Sequence, residues 1–134
     1  MASRKEEAAE KKRCGQYNCA QAVICTYCDK AGISEETASN LGNAFAAGMG
    51  TMEGTCGALV GAGIVLGLIN KDKAKTMREM RQIMTKFKAR NSETQCYKLK
   101  GLETGCPLRE CPDCVADAVE FLEEFIEEQQ ENKG

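Results

Sequence analysis

The sequence predicts an all-α fold: a single helical domain of about five to six helices spanning residues 1–134, with a glycine-rich central helix. Three observations predict this class. Only two prolines interrupt the chain, β-branched residues form few runs, and apolar side chains in the second half recur at helical spacing. A composition of 43% hydrophobic and 28% charged residues is typical of one globular domain rather than of a disordered chain.

The first two helices are predicted from charge spacing and from a cap. Residues 1–13 carry glutamates and lysines at helical spacing, which indicates a solvated, charged N-terminal helix. Gly15 interrupts it. Asn18 followed by Gln21 three residues later is a capping-box pattern, so we expect a second helix from Cys19 to about residue 31.

The third and central helices flank a glycine-rich loop. Ser34 is predicted to cap a helix that reaches about residue 47. After a loop at residues 48–54, Thr55 is predicted to cap the central helix, residues 56–69. Because a glycine costs up to about 1 kcal/mol in a helix interior, the four glycines there indicate tight core packing. They form two pairs spaced four residues apart: Gly57 with Gly61, and Gly63 with Gly67.

The second half is predicted to hold two long helices and one short one. Asp72 starts an amphipathic helix to about residue 89. Ser92 is expected to cap a short helix that carries Cys96. The last helix starts at Pro112, a favoured first helical position, and frays into an acidic tail at residues 128–134. The residues predicted to face the core are Met77, Met80, Ile83, Met84 and Phe87 in the first long helix, and Val115, Val119, Leu122 and Ile126 in the last.

Charge is segregated along the chain. Residues 71–100 have a net charge of +7 and residues 101–134 a net charge of −8, so we expect these two helical segments to lie near one another or to present solvated faces. The whole chain carries only −2, which gives no reason to propose nucleic acid as a partner. Its longest apolar run, fourteen residues, is shorter than the roughly 18 of a membrane span. With no secretory signal at the start, we expect a cytoplasmic protein that does not insert into membranes.

Nine cysteines and no histidine direct the chemistry toward sulfur. Without histidine there is no Ser–His–Asp or Cys–His catalysis, no c-type haem attachment and no zinc finger with mixed ligands. In a reducing compartment, cysteines this numerous are more often metal-binding or redox-active than structurally bridged. No nucleophile elbow, P-loop or dinucleotide fingerprint supports an enzymatic reaction beyond electron or disulfide exchange.

Several cysteines lie where a helix begins, which favours a thiolate. Cys19 and Cys56 each follow a predicted cap, and the Cys111-Pro-Asp-Cys114 motif straddles the start of the last helix. Together with Cys96, four cysteines from four elements can converge as an all-thiolate site for zinc or an iron–sulfur cluster. The alternative is metal-free thiol–disulfide chemistry, with Cys111 and Cys114, or Cys19 and Cys56, as the redox couple.

Three segments of the chain resemble one protein family. They are Asn18 to Val23 (NCAQAV), Gly48-Met49-Gly50, and Thr55 to Gly61 (TCGALVG). They are similar to the C-GCAxxG-C-C family of redox-active proteins, whose Cys-Gly-Ala-x-x-Gly motif is matched by residues 56–61, and the resemblance covers nearly the whole chain. By this resemblance Cys19, Cys56 and Cys96 are three of four characteristic cysteines. The fourth is Cys111 or Cys114, with Cys111 slightly favoured.

The resemblance implies a redox function, and the family occurs in bacteria and archaea. A looser similarity to the helical part of split-Soret cytochromes implies a cysteine-ligated iron–sulfur cluster, but the absence of histidine rules out their haem sites. The first hypothesis is therefore electron transfer through a cluster of the 2Fe–2S type, with a redox partner protein. Metal-free thiol–disulfide chemistry and a structural or sensory zinc site are the alternatives. The glycine-faced helix leaves a homodimer open.

Four cysteines exceed the family pattern and are expected to be packing or auxiliary thiols. They are Cys14, Cys25, Cys28 and Cys106.

Overall fold

The computed structural model describes the backbone of residues 3–133 and the side chains of residues 3–128, and within that range it is all-α, as predicted. It contains eight α-helices, six of them with seven or more residues, and one 3-10 turn at Asn43–Phe45. The helices are α1 (Lys5–Arg13), α2 (Cys19–Thr26), α3 (Cys28–Ala31), α4 (Glu35–Leu41), α5 (Gly57–Asn70), α6 (Lys73–Asn91), α7 (Cys96–Leu99) and α8 (Cys111–Lys133). None of these helices is long and apolar enough to cross a bilayer.

One cluster of buried apolar side chains forms the core, with α5 at its centre. It joins Ile24 of α2 and Leu59 of α5 to Phe87 of α6 and Leu122 of α8, all fully buried. The four residues of α8 predicted to face the core are all buried. The core therefore holds the N-terminal ends of α2, α5 and α8 at fixed positions relative to one another.

The first glycine pair of α5 lies directly against α2, as predicted. A Cβ atom placed on Gly61 would be 2.8 Å from the carbonyl oxygen of Ala20, and one on Gly57 would be 2.7 Å from that of Phe45. The prediction is wrong for the second pair. A Cβ on Gly67 meets nothing within 4 Å, and one on Gly63 meets only the side chain of Met80, at 3.4 Å. The N-terminal half of α5 is therefore the part that needs glycine for packing.

Two predicted helices are shorter than expected. The second breaks at Tyr27, where the backbone N–H is shared between the carbonyls of Val23 and Ile24, and the Thr26 hydroxyl donates to the carbonyl of Ala22 (2.7 Å). Such back-bonding by threonine bends helices. The third helix ends at Leu41 rather than near residue 47, and the 3-10 turn follows it.

Several predicted helix starts differ by a few residues. Asn18, Ser34 and Asp72 cap their helices as expected. Thr55 does not: it forms an isolated antiparallel bridge with Gln95, and α5 is capped at the next residue. Ser92 ends α6 in a left-handed conformation (φ 74°) instead of starting α7.

The last helix is longer than predicted at both ends. It starts at Cys111, one residue before Pro112. Its backbone stays helical to Lys133, where the sequence predicted a frayed tail from residue 128, and Gly134 lies outside the described residues. Buried Phe125 and Ile126 anchor the helix close to this end, and each further residue then adds one backbone hydrogen bond.

The apolar stripe of α6 is buried except at its first member. Ile83 and Phe87 are fully buried, and Met80 and Met84 pack against the core while half-buried. Met77 is 50% exposed, so its predicted core position is wrong. It lies in a shallow hollow beside Gly67, which offers no side chain to cover it.

The two segments of opposite charge lie side by side, which is the first of the two arrangements expected from the sequence. Arg90 of α6 contacts both Asp117 (2.9 Å) and Glu120 (2.7 Å) of α8. Lys86 pairs with Glu124 further along the same two helices. These ion pairs fix α8, and with it Cys111 and Cys114, against α6.

Candidate functional site

A cavity of about 180 Å³ lies where the N-terminal ends of α2, α5, α7 and α8 meet. All five cysteines predicted as site residues line it: Cys19, Cys56, Cys96, Cys111 and Cys114. Cys19 and Cys111 are half-buried, whereas the other three are buried. The structure thus brings together thiols that are far apart in the sequence.

Cys19 is placed by a complete capping box. The N–H of Gln21 donates to the side chain of Asn18 (2.8 Å), and the N–H of Asn18 donates to the side chain of Gln21 (2.9 Å). The Asn18 amide also donates to the carbonyl of Gly42 (2.9 Å). This network fixes the first residue of α2, Cys19, at the edge of the cavity.

Cys56 and Cys96 are brought together by two short extended segments. The Cys56 N–H donates to the carbonyl of Thr94 (2.8 Å), and the Cys96 N–H donates to that of Gly54 (2.9 Å). Cys56 is also the N-cap residue of α5. Its sulfur therefore lies at the positive end of the helix dipole, where free backbone N–H groups stabilise a thiolate.

Four of the thiols form two contact pairs. In the first, the thiol of Cys19 interacts with that of Cys111. This contact lowers the pKa of Cys111 to about 6 against the opposing effect of burial, and the charges of Lys100 and Lys12 lower it further. The same contact, together with burial, raises the pKa of Cys19 far above its usual range.

The second pair is Cys56 and Cys114. The Cys114 sulfur lies 3.9 Å from the carbonyl oxygen of Arg109, and its interaction with Cys56 lowers the pKa of Cys56 despite burial. The backbone N–H groups of Ala58 and Leu59 lower it as well. The pKa of Cys114 is raised, first by the contact and then by burial. Each pair thus combines one thiol whose pKa is lowered with one whose pKa is raised.

Cys96 belongs to neither pair. Its sulfur lies 3.9 Å from the thioether sulfur of Met52, and burial raises its pKa. Within the described residues, no three histidine, cysteine, aspartate or glutamate side chains are arranged to hold one metal ion. The sulfur donors around the cavity are organised as pairs.

A comparison with protein families places this geometry in context. Residues 17–125 match the profile of the family described as "Putative redox-active protein (C_GCAxxG_C_C)". The chain belongs to the C_GCAxxG_C_C family. This confirms the resemblance inferred from the sequence. No curated protein and no solved structure matches the chain significantly.

In this C_GCAxxG_C_C family member, the remaining four cysteines lie outside the cavity. Cys14 and Cys106 are exposed, Cys25 is buried in the core, and Cys28 is half-buried against it. The Cys14 thiol donates to the carbonyl of Lys11 (3.1 Å). Their positions separate them from the five thiols that line the cavity.

The glycine-rich loop forms one wall of the cavity in this family member. Gly48 lies so close to Cys96 that a Cβ on Gly48 would be 2.6 Å from that of Cys96. Ala47, Met49 and Met52 all have positive φ, at 47°, 66° and 68°. Non-glycine residues in this region cost on the order of 1 kcal/mol or more each, and such strain clusters at functional sites. The loop is therefore held in its shape by its contacts with the site.

The sequence analysis did not predict the cationic side chains that line the cavity. Lys12, Lys100 and Arg109 line it, from the end of α1, the end of α7 and the loop before α8. Arg109 is held by Asp117, whose two carboxylate oxygens accept from Nε and Nη2 of the guanidinium (3.0 and 3.1 Å). Asp117 is 3% exposed and also accepts from Asn91. Only the spacing of Asp117 one turn after Cys114 points toward the site from sequence.

Proposed function

We propose that this protein carries electrons through a binuclear iron–sulfur cluster of the 2Fe–2S type, bound in the cavity by cysteine thiolates. The observation that carries the proposal is the arrangement of the thiols: two contact pairs facing one cavity. Two pairs match a centre with two metal atoms, whereas a structural zinc site takes four ligands around one ion. When bound, such a cluster supplies reversible one-electron transfer.

The chemistry of the surrounding groups fits an anionic centre. Four thiolates and two sulfides leave a cluster negatively charged, and it gains a further charge on reduction. Three helix N-termini and the side chains of Lys12, Lys100 and Arg109 surround the cavity and stabilise negative charge. Backbone N–H groups directed at sulfur, as at Cys56, tune the reduction potential.

Cys19, Cys56 and Cys111 are three of the four ligands. The fourth is Cys114, which contacts Cys56, or Cys96, which is the third cysteine of the family pattern. Both line the cavity. Of the two, the contact with Cys56 favours Cys114.

Analysis of iron and acid-labile sulfide in anaerobically purified protein tests the proposal. We expect a brown protein with visible charge-transfer absorbance and about two iron and two sulfide per chain. A colourless protein with stoichiometric zinc would refute it.

Single serine variants then identify the ligands. Cys56→Ser and Cys111→Ser are expected to lose the visible absorbance, whereas Cys25→Ser, which changes a buried thiol outside the cavity, keeps it. Comparing Cys96→Ser with Cys114→Ser decides the fourth ligand. Loss of absorbance in the Cys25 variant at unchanged helicity would contradict the assignment of the cavity.

The paired thiols also favour a second function, metal-free dithiol–disulfide exchange. In this reaction the Cys111 thiolate attacks an external disulfide, forms a mixed disulfide with one half and releases the other half as a thiol. Cys19 then attacks the Cys111 sulfur, displaces the bound half as a second thiol and forms a Cys19–Cys111 bond. The protein loses two electrons and two protons to the external disulfide, which becomes two thiols. Treating iron-free protein with oxidised glutathione and mapping its disulfides tests this reaction. Oxidation without a Cys19–Cys111 or Cys56–Cys114 bond would exclude it.

A further inference from the structure

Beside the thiol pairs, the cavity presents positive charge that no carboxylate in the described residues neutralises. Four cations at or near α1 have a partner. Arg4 pairs with Asp29, and the other three pairs are Lys5 with Glu120, Lys11 with Glu7, and Arg13 with Glu10. Lys12, which lines the cavity, makes no ion pair within residues 3–128. The cation that faces the cavity is thus the one left without a carboxylate.

Lys100 is a second lysine that lines the cavity without a carboxylate partner in the described part of the chain. It follows α7 and lines the cavity, and it also makes no ion pair within the described residues, while nearby Lys98 pairs with Glu93 (3.9 Å). The charge of Arg109, by contrast, is offset by buried Asp117. Of the acids in this region, Glu110 is exposed beside Cys111. Glu110 is not among the residues that line the cavity, whereas both lysines are.

The thiols that line the cavity differ in their exposure to solvent. Cys19 and Cys111 are half-buried, whereas Cys56, Cys96 and Cys114 are buried. Cys19 and Cys111 are therefore the more accessible of the cavity thiols, and Lys12 and Lys100 line the same cavity. Met49 and Leu108, each next in sequence to a residue of the cavity wall, are 53% and 50% exposed and add apolar surface nearby.

We propose that the mouth of the cavity, defined by Lys12, Lys100, Cys19 and Cys111, is a docking surface for an electron partner with an acidic face. This inference rests on the proposed redox function and names the chemistry of the partner. Unpaired lysines around an exposed redox centre raise the local concentration of anionic partners and accelerate their association. Transient redox complexes bury little surface, so a small charged mouth is sufficient.

Two small oxidants of opposite charge test the steering. Reduced protein is mixed rapidly with hexacyanoferrate(III), an anion, or with hexaammineruthenium(III), a cation, at several salt concentrations. We expect the rate with the anion to fall as salt rises, because screening removes the attraction. The double variant Lys12→Gln/Lys100→Gln should lower the ratio of anion to cation rates about tenfold. The matched control is Lys73→Gln/Lys88→Gln, which removes the same charge from exposed positions of α6 outside the cavity.

Carbodiimide cross-linking to an acidic flavodoxin tests docking itself. Cross-links should form at Lys12 and Lys100 at higher yield than at Lys73 and Lys88. An unchanged rate ratio in the mouth variant, or cross-links spread evenly over these lysines, would overturn the proposal. Failure of the redox function has a different signature, since neither oxidant would then take electrons from the protein.

Discussion

Replacing Gly61 with alanine tests the close contact between α2 and α5 that sets the position of Cys19. A methyl group there would lie 2.8 Å from the Ala20 carbonyl oxygen and 3.0 Å from the Cβ of Val23. Distances below 3.0 Å require one partner to move, and here it is backbone, which cannot rotate away. Overpacking of this kind costs about 1–3 kcal/mol, and rigid neighbours place Gly61 near the upper limit.

The same substitution at Gly67 is expected to stabilise the protein rather than destabilise it. A methyl group there meets nothing within 4 Å, so only the helix propensity changes. Alanine in place of glycine stabilises a helix interior by about 0.5–1 kcal/mol. Subtracting this gain from the overpacking cost, we expect Gly61→Ala to lower the free energy of unfolding by about 2 kcal/mol and Gly67→Ala to raise it by 0.5–1 kcal/mol.

Urea unfolding followed by circular dichroism measures both changes, with equal slopes showing that the native and denatured states are comparable. Gly63→Ala is the intermediate control, because its methyl group would meet only the flexible side chain of Met80 at 3.4 Å. Its stability should lie close to that of the Gly67 variant. If Gly61→Ala is as stable as the unchanged protein, α2 and α5 do not pack as described.

Three further predictions concern the residues around the site. Asn18→Ala removes the cap of α2 and should destabilise the protein by about 1–2 kcal/mol in urea unfolding; no loss would show that the cap is dispensable. Burial raises the pKa of Asp117, but its hydrogen bonds to two arginines and an asparagine outweigh burial and lower the pKa overall. The stability that the Asp117 carboxylate contributes at neutral pH is therefore lost as the pH falls through this lowered pKa. Asp117→Asn should lower the free energy of unfolding by about 2 kcal/mol at pH 7, since its arginine partners are partly exposed. Glu120 is more exposed, so Glu120→Gln should lower it by less than about 1 kcal/mol. Equal losses in the two variants would argue against the buried network. In reduced, metal-free protein the alkylation rate of Cys111 should rise through a pH midpoint near 6, and a midpoint at about 8.5, the usual pKa of a free cysteine, would contradict the Cys19 contact.

The sequence predicted those parts of the fold whose signals are local. Asn18, Ser34 and Asp72 cap helices because each satisfies N–H groups only two or three residues away. The same reasoning failed at Ser92, because a polar residue beside a helix end can also close the preceding helix in a left-handed conformation. It failed at Met77 because burial there depends on Gly67, in another helix, leaving a hollow.

The candidate site was predicted in composition but not in arrangement. Motif and helix-start arguments selected the five cysteines that line the cavity. They did not pair Cys19 with Cys111 or Cys56 with Cys114, because these contacts depend on how α2, α5 and α8 cross in the core. Lys12 could not be predicted for a related reason. In the sequence it is one of several basic residues on a charged helix, and only the fold shows that its neighbours Lys11 and Arg13 form ion pairs while Lys12 lines the cavity.

The contact between Cys19 and Cys111 joins positions near opposite ends of the chain, with α3 to α7 between them. Any link between these sulfurs, a covalent bond or a shared metal, closes a loop of roughly ninety residues in the denatured chain. Closing a loop of that size removes conformational entropy equivalent to about 4–5 kcal/mol. The protein therefore has two stabilities, one with the loop closed and one with it open, and the state of its sulfur chemistry can be measured as resistance to unfolding and proteolysis.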